Sequence, residues 1–545
     1  MAVLSGVLQV LPFPIAGPTP LWRTAFCWIA LLPLLWALLG NTKTGNPLTL
    51  RQGAALAYVC GFLWYMGNCY WIYQTMYLYG GLAKPIAAGI LILFSLYLGL
   101  YHALFGTLIA AFHRRFGRSA ALLLAPFAWV AVELARARIT GLPWDLLGIS
   151  QIDNPLLTRI APITGAYGIS FIIAAVNALW LVPIHIRERR FTRSSLSIAG
   201  VIIIVLYVVG LSRIANPEPS PTTATATLVQ ENLEVGAANT GPQPSTQQFL
   251  ESFSYLSRYP SPQFLLGIPE LPGTPSVYLI RRQPSGETSS AIAPTPSDLI
   301  VWPESPAPFS DTDPQFRAAM SSLARTTQTP IIVGNIGFES NTTSPSGYSP
   351  YNRASFLTPD GVFAGHYDKM HLVPFGEYVP YKELFFFAKS LLNEAGTFEP
   401  GTQRTVFKTG GHIYGVFICY ESIFADEIRQ LTQQGAEVLI NISNDGWYGD
   451  TSAPWQHLNM VRMRAIENHR WILRSTNTGV TAAINPYGRV TAAAPRHQRT
   501  SIRVHFGYEH DLTFYAAHGD LFAYACAFVT ALCLVFSLRR RIAVN

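Results

Sequence analysis

The sequence predicts an α-helical membrane bundle of about eight transmembrane helices joined to an α/β domain that lies outside the bilayer. Three observations predict it. Half of the 545 residues are apolar and only 13% are charged, against about 25% in ordinary soluble domains. The charge is unevenly spread. From Asn216 to Tyr515 the chain carries 20 basic and 26 acidic residues, and elsewhere 18 basic and 5 acidic, so the overall +7 arises in the apolar segments and their loops. Within that acidic stretch, short β-rich runs alternate with helical ones. Disorder is excluded by the high hydrophobicity. Nucleic acid is not an expected partner, because Lys and Arg do not gather on the folded domain.

Spans of about 20 apolar residues are expected near Leu21–Leu39, Gly53–Met76, Lys84–Phe112, Ser119–Leu134, Ile160–Ile186, Leu196–Leu211 and Leu521–Leu538. A weaker one at Val3–Ala16 is interrupted by Pro12 and Pro14. With the N-terminus inside, the inner loops and tail hold Lys43, Arg51, Arg114, Arg115, Arg118, Arg187, Arg189, Arg190, Arg193 and Arg539 to Arg541. The outer side holds Arg23, Lys84, Arg136, Arg138, Arg159 and Arg213. Twelve against six places the large stretch outside the cytoplasm. Arg136 and Arg138 run against that rule, and headgroup contact or phosphate binding would explain them. The expected division is residues 1–215 in the membrane, 216–515 outside it, and 516–545 as a last span with a basic tail.

Cys27, Cys60, Cys69, Cys526 and Cys533 fall in apolar spans, and only Cys419 lies in the large domain. A disulfide-stapled domain would show an even set there, so Cys419 is either an inert core residue or a retained nucleophile.

Strands are expected at Thr225–Gln230, Asp298–Trp302, Pro330–Gly334, Arg353–Leu357, Ile413–Cys419, Glu437–Ile442 and Val480–Ile484, and helices at Asp426–Gln434 and His457–Trp471. Ala237–Gln247 and Gln283–Ser297 have loop composition, and Asn341-Thr342-Thr343 is a chance-level glycosylation triplet. Polar groups gather at strand ends. Leu299 to Trp302 runs into Pro303 and Glu304; Tyr414 to Ile418 runs into Cys419, Tyr420 and Glu421; Lys369 and Glu377 bracket the stretch between. Each is ordinary alone. Together they supply a base, a cation and a nucleophile, the parts thiol acyl chemistry requires.

The ordered set Trp-Pro-Glu304, Lys369-x-His-Leu-Val-Pro-Phe-Gly-Glu377 and Cys419-Tyr-Glu resembles the nitrilase (carbon–nitrogen hydrolase) superfamily, and within it the membrane branch, the apolipoprotein N-acyltransferases. Flanking stretches agree: Asn444 to Gly449, His457 to Ala465, Arg474 to Gly479, Thr140 to Trp144 and Ser150 to Asp153. The resemblance implies an αββα sandwich with a Glu-Lys-Cys triad: Glu304 as general base, Lys369 as cationic helper and Cys419 as nucleophile. Glu377 resembles the second glutamate, Tyr420 and Glu421 follow the nucleophile as in the family, and Asn352 matches the Asn of its Tyr-Asn pair. The chain departs from the family in Gln230-Glu231-Asn232, where a Gln-Gly-Asn-like turn is usual, and in lacking a Trp between Asn216 and Val301.

The implied reaction takes an acyl chain from a phospholipid, phosphatidylethanolamine by resemblance, onto Cys419 as a thioester. A second step passes it to the α-amine of a diacylglyceryl-cysteine on an apolipoprotein, at the outer face of a bacterial inner membrane. No metal or organic cofactor is expected. The alternative enzyme is a membrane-tethered amidase or nitrilase with water as acceptor. A transporter or scaffold with a dead outer domain would instead line its spans with ionisable groups, and few are seen there.

Overall fold

The computed structural model describes residues 1–40, 45–182, 221–236, 245–260, 297–304, 309–342, 347–378 and 398–538, with short pieces at 198, 200–202, 264–266, 280–282 and 344. Among these, four helices are long and apolar enough to cross a membrane: Leu21–Leu39, Lys84–Phe116, Arg118–Thr140 and Leu521–Leu538. The expected Gly53–Met76 span is a helix over Leu50–Asn68, opened by a reciprocal Thr49–Gln52 capping box. It crosses Lys84–Phe116 at backbone contact. A Cβ on Gly106 would fall 2.3 Å from the Gly53 carbonyl oxygen, so only glycine permits this approach.

Two expected spans differ. Ile160–Ile186 is broken at Gly165, whose φ of +65° ends the short Ala161–Thr164 helix before a second helix over Ala166–Leu179. Fourteen residues reach roughly 21 Å, short of a 30 Å hydrocarbon core. Val3–Ala16 is helical only over Ala2–Val10, because Pro12 and Pro14 offer no N–H to continue the ladder. Most of the expected Leu196–Leu211 span, the basic tail from Arg539, and nearly all of Gln283–Ser297 lie outside the described residues.

The rest of the chain builds two sheets. One runs in the order Thr500–Phe506, Ala224–Gln230, Leu299–Val301, Ile331–Ser340, Tyr348–Leu357, Phe363–Asp368. The other runs Ile280–Arg282, Phe264–Leu266, Val490–Ala493, Ala482–Ile484, Trp471–Thr476, Val438–Ser443, His412–Ile418, Val406–Thr409. Each has a parallel centre: Ala224–Gln230 with Leu299–Val301 and Ile331–Ser340, and His412–Ile418 with Val438–Ser443 and Trp471–Thr476. These central strands are apolar at successive positions because both faces are covered.

Side-chain alternation then sorts the layers. Val301, Val416, Ile440 and Leu473 point into the core between the sheets. Their neighbours point outward. Ile300 packs on Phe253 and Phe316 from the helices Thr246–Arg258 and Pro314–Thr327. Phe417, Leu439 and Ile472 pack on Ile428 and Val461 from Ala425–Gln433 and Ala453–Asn468. The result is the αββα order. The helix expected over His457–Trp471 ends instead at Asn468, where His469 takes a left-handed φ of +50°, and Trp471 begins a strand.

The two parts are joined by buried polar contacts. Arg462 pairs with Asp153 at 2.6 Å, the Glu467 carboxylate accepts from the Ala166 N–H at 3.0 Å, and the Trp144 indole donates to Gln456 at 2.9 Å. The exposed Arg138 also links them, pairing with Asp520 at 2.6 Å and Asp426 at 3.2 Å, whereas buried Arg136 stays within the membrane helices and donates to the Tyr65 hydroxyl at 3.2 Å. The two arginines that broke the orientation rule thus have protein partners.

Candidate active site

Glu304 follows the three-residue strand Leu299–Val301, and Pro303 stops that strand so that the carboxylate leaves its carboxyl end. Lys369 directly follows Phe363–Asp368, with its N–H donating to the Asn352 carbonyl at 2.9 Å. Its ammonium donates to Glu304 Oε1 and to Glu377 Oε1, both at 3.0 Å. The Asn352 amide joins the same two oxygens at 2.7 and 2.6 Å. The second oxygens are also held: Glu304 Oε2 by the Asn444 N–H at 2.8 Å and Glu377 Oε2 by the Val373 N–H at 2.7 Å. Lys369, Glu304, Glu377 and Asn352 are all buried. Burial alone would pull the Lys369 ammonium down, but Glu304 and then Glu377 carry it well above the ordinary lysine value.

Cys419 ends the strand His412–Ile418 and turns the chain into a tight 3₁₀ turn over Cys419–Ile423. Its φ is +48°, a left-handed conformation rare for a residue with a side chain. Burial, and next the negative charge of Glu304, raise its thiol above the ordinary cysteine value, while Lys369 opposes them. The resting group is therefore a thiol that needs a base.

Glu421 does not face the lysine. It clamps the Cys419 turn to the lysine loop, accepting from the Ile418 N–H at 2.6 Å, the Met370 N–H at 2.8 Å, the His371 N–H at 3.2 Å and the Tyr367 hydroxyl at 2.6 Å. Burial raises its carboxyl, and these donors pull it back. The Tyr420 hydroxyl donates to the Gly141 carbonyl at 3.4 Å, in the loop leaving the Arg118–Thr140 span. Tyr420, Ile423, Phe424 and Tyr448 share one continuous apolar core with the membrane helices.

Tyr367 opens the same stretch of sequence two residues before Lys369, and its hydroxyl supplies one of the four donors to Glu421. A second buried cluster, Arg474, Asp445 and His457, had a signal in the sequence. Arg474 sits in the wholly buried strand Trp471–Thr476, and a charge there demands a partner. It donates to Asp445 Oδ2 at 2.6 Å and pairs with Asn441. Arg474 and His457 hold the Asp445 carboxyl below the ordinary range against the opposing effect of burial.

Residues 5–179 match the apolipoprotein N-acyltransferase N-terminal domain, and residues 282–505 match the carbon–nitrogen hydrolase family. The chain is 34% identical over 549 residues to the apolipoprotein N-acyltransferase of Geobacter metallireducens, covering 99% of this chain and 95% of that one. It is 30% identical over 552 residues to that of Methylococcus capsulatus, covering 99% and 96%.

Proposed function

The chain belongs to the apolipoprotein N-acyltransferase family, and from that premise we propose that it works by a two-step thioester mechanism on Cys419 with a membrane phospholipid as acyl donor. Glu304 takes the thiol proton as Sγ attacks the ester carbonyl. Lys369 stabilises the oxyanion of the tetrahedral intermediate. Collapse breaks the ester C–O bond; the leaving oxygen takes the proton from Glu304 and departs as a lysophospholipid. The α-amine of a diacylglyceryl-cysteine then attacks the thioester, forming the amide and returning the proton to the thiolate. Glu377 and Asn352 keep Lys369 charged and aimed.

One observation carries the preference for a lipid donor over a water-soluble amide. The residues next to the nucleophile, Tyr420, Ile423 and Phe424, pack into the same apolar core as the membrane helices. A donor that keeps its chains in the bilayer avoids an extraction cost of about 0.8 kcal/mol per CH₂. Phosphatidylethanolamine is the proposed donor. The proposed arrangement is a multi-pass helical bundle in a bacterial inner membrane, residues 216–515 on the periplasmic side and both termini in the cytoplasm.

Mass spectrometry of the purified protein tests the mechanism. Incubation with phospholipid alone should add one acyl group on Cys419, and adding a diacylglyceryl-lipopeptide should discharge it into an N-acylated product. An adduct that decays equally fast with or without the lipopeptide supports water as acceptor and rejects acyl transfer.

A further inference from the structure

We propose that His457 is a positioning residue for the nucleophile: its ring Nε2 donates to the Cys419 carbonyl oxygen and so holds the left-handed backbone that presents Sγ. This rests on the reading of Cys419 as the nucleophile. The backbone at Cys419, φ +48°, is one that L-residues avoid, so a partner must fix it. His457 Nε2 lies 3.0 Å from that carbonyl oxygen and 2.6 Å from the Ser422 hydroxyl in the same turn.

The ring is fixed from its other side. Nδ1–H donates to Asp445 Oδ1 at 2.9 Å, so with Nε2–H on the carbonyl the ring carries both protons as an imidazolium; Asp445 Oδ1 also accepts from Ser443 at 2.9 Å, while Arg474 holds Asp445 Oδ2 at 2.6 Å. The Trp144 ring, from the loop after the Arg118–Thr140 span, stacks on the imidazole at 6.1 Å and 26°. His457, Asp445 and Arg474 have no solvent exposure. An apolar ring would fill this volume without burying charge. What it could not do is hold a carbonyl oxygen.

The test reads Cys419 without any lipid. The full-length protein in detergent is alkylated with iodoacetamide at neutral pH, and the Cys419 peptide is quantified by mass spectrometry, with a thermal melt of each variant. His457→Leu keeps bulk against Trp144 and should slow alkylation about tenfold or more, as misplacement of a reacting group does. His457→Gln keeps an N–H donor and should stay within about threefold. Ser422→Ala should also stay within that range, because the carbonyl is the partner that matters. Wild-type alkylation in a folded His457→Leu protein overturns the proposal, as does equal loss in the Gln or the Ser422→Ala variant. Should the Leu variant not fold, ¹⁵N-histidine spectra of the wild type decide. A protected Nε2–H on His457 is required, and its absence overturns the assignment. Normal Cys419 alkylation in a wild-type protein that never takes an acyl group would reject the acyl-transfer mechanism and leave this inference standing.

Discussion

Glu304, Lys369, Glu377 and Asn352 form one buried cluster of charge near Cys419, and Arg474, Asp445 and His457 form another, and they are balanced differently. In the first, two carboxylates share one ammonium at 3.0 Å each. In the second, one carboxylate lies between a guanidinium at 2.6 Å and an imidazole at 2.9 Å. In the proposed mechanism the spare negative charge of the first cluster receives the proton of the Cys419 thiol. The second has none to spare, in keeping with the positioning role proposed for His457. Equal burial is therefore compatible with the unequal roles proposed, and the count of opposing charges is what distinguishes the two clusters.

The largest effect that would break this comparison is at Cys419, the proposed nucleophile. Cys419→Ala should remove both the acyl adduct and transfer to a lipopeptide; transfer surviving in that variant would falsify the thioester route. Next are Glu304→Gln and Lys369→Met, each expected to slow acylation about 10²–10³-fold, the usual loss for one such group. The two should also shift the Cys419 thiol in opposite directions, read from its alkylation-pH profile. Without Glu304 the midpoint falls, because the carboxylate helps raise it; without Lys369 it climbs further. Shifts of the same sign would show that the pair does not act on the thiol as proposed.

The second cluster should answer in stability. Asp445→Asn leaves Arg474 buried without its anion and should cost about 3–5 kcal/mol, seen as a lower melting temperature. In the wild type the Asp445 carboxyl is depressed by folding, so its contribution is fully present above the ordinary aspartate range and lost as pH falls below about 4. That acid-side loss should be missing from Asp445→Asn in melts taken from pH 7 downward. The smallest effect is at Glu377. Because Glu304 still holds Lys369, Glu377→Gln should slow turnover by about tenfold or less while Cys419 remains acylatable. Wild-type turnover there would reduce Glu377 to a turn residue.

Much of the fold was legible because apolar runs report burial directly. The strands Leu299–Val301 and His412–Ile418 ahead of Glu304 and Cys419, the span Leu521–Leu538 and the helix near Asp426–Gln434 stand close to where pattern put them. The break at Gly165 was not legible, since hydropathy averages across a glycine whose backbone alone ends the helix. The end of the helix at Asn468 was missed for a related reason: His469 acts as a left-handed cap, a role sequence rules reserve for Gly or Asn.

By itself the sequence determined the membrane character, the alternating strands and helices, and which residue types stand at strand ends, because these depend on short-range composition and period. Its motifs also named Glu304, Lys369 and Cys419 as a set. Only the tertiary structure decided which polar groups share a partner. Glu377 meets Lys369 while Glu421, two residues past Cys419, turns away to hold four donors, from the strand ends at Ile418 and Tyr367 and from the loop at Met370 and His371. Arg138 finds Asp520, 382 positions along the chain. A charge in a buried strand announces that it needs a counter-charge; which one answers depends on how distant segments pack, and no local pattern encodes that.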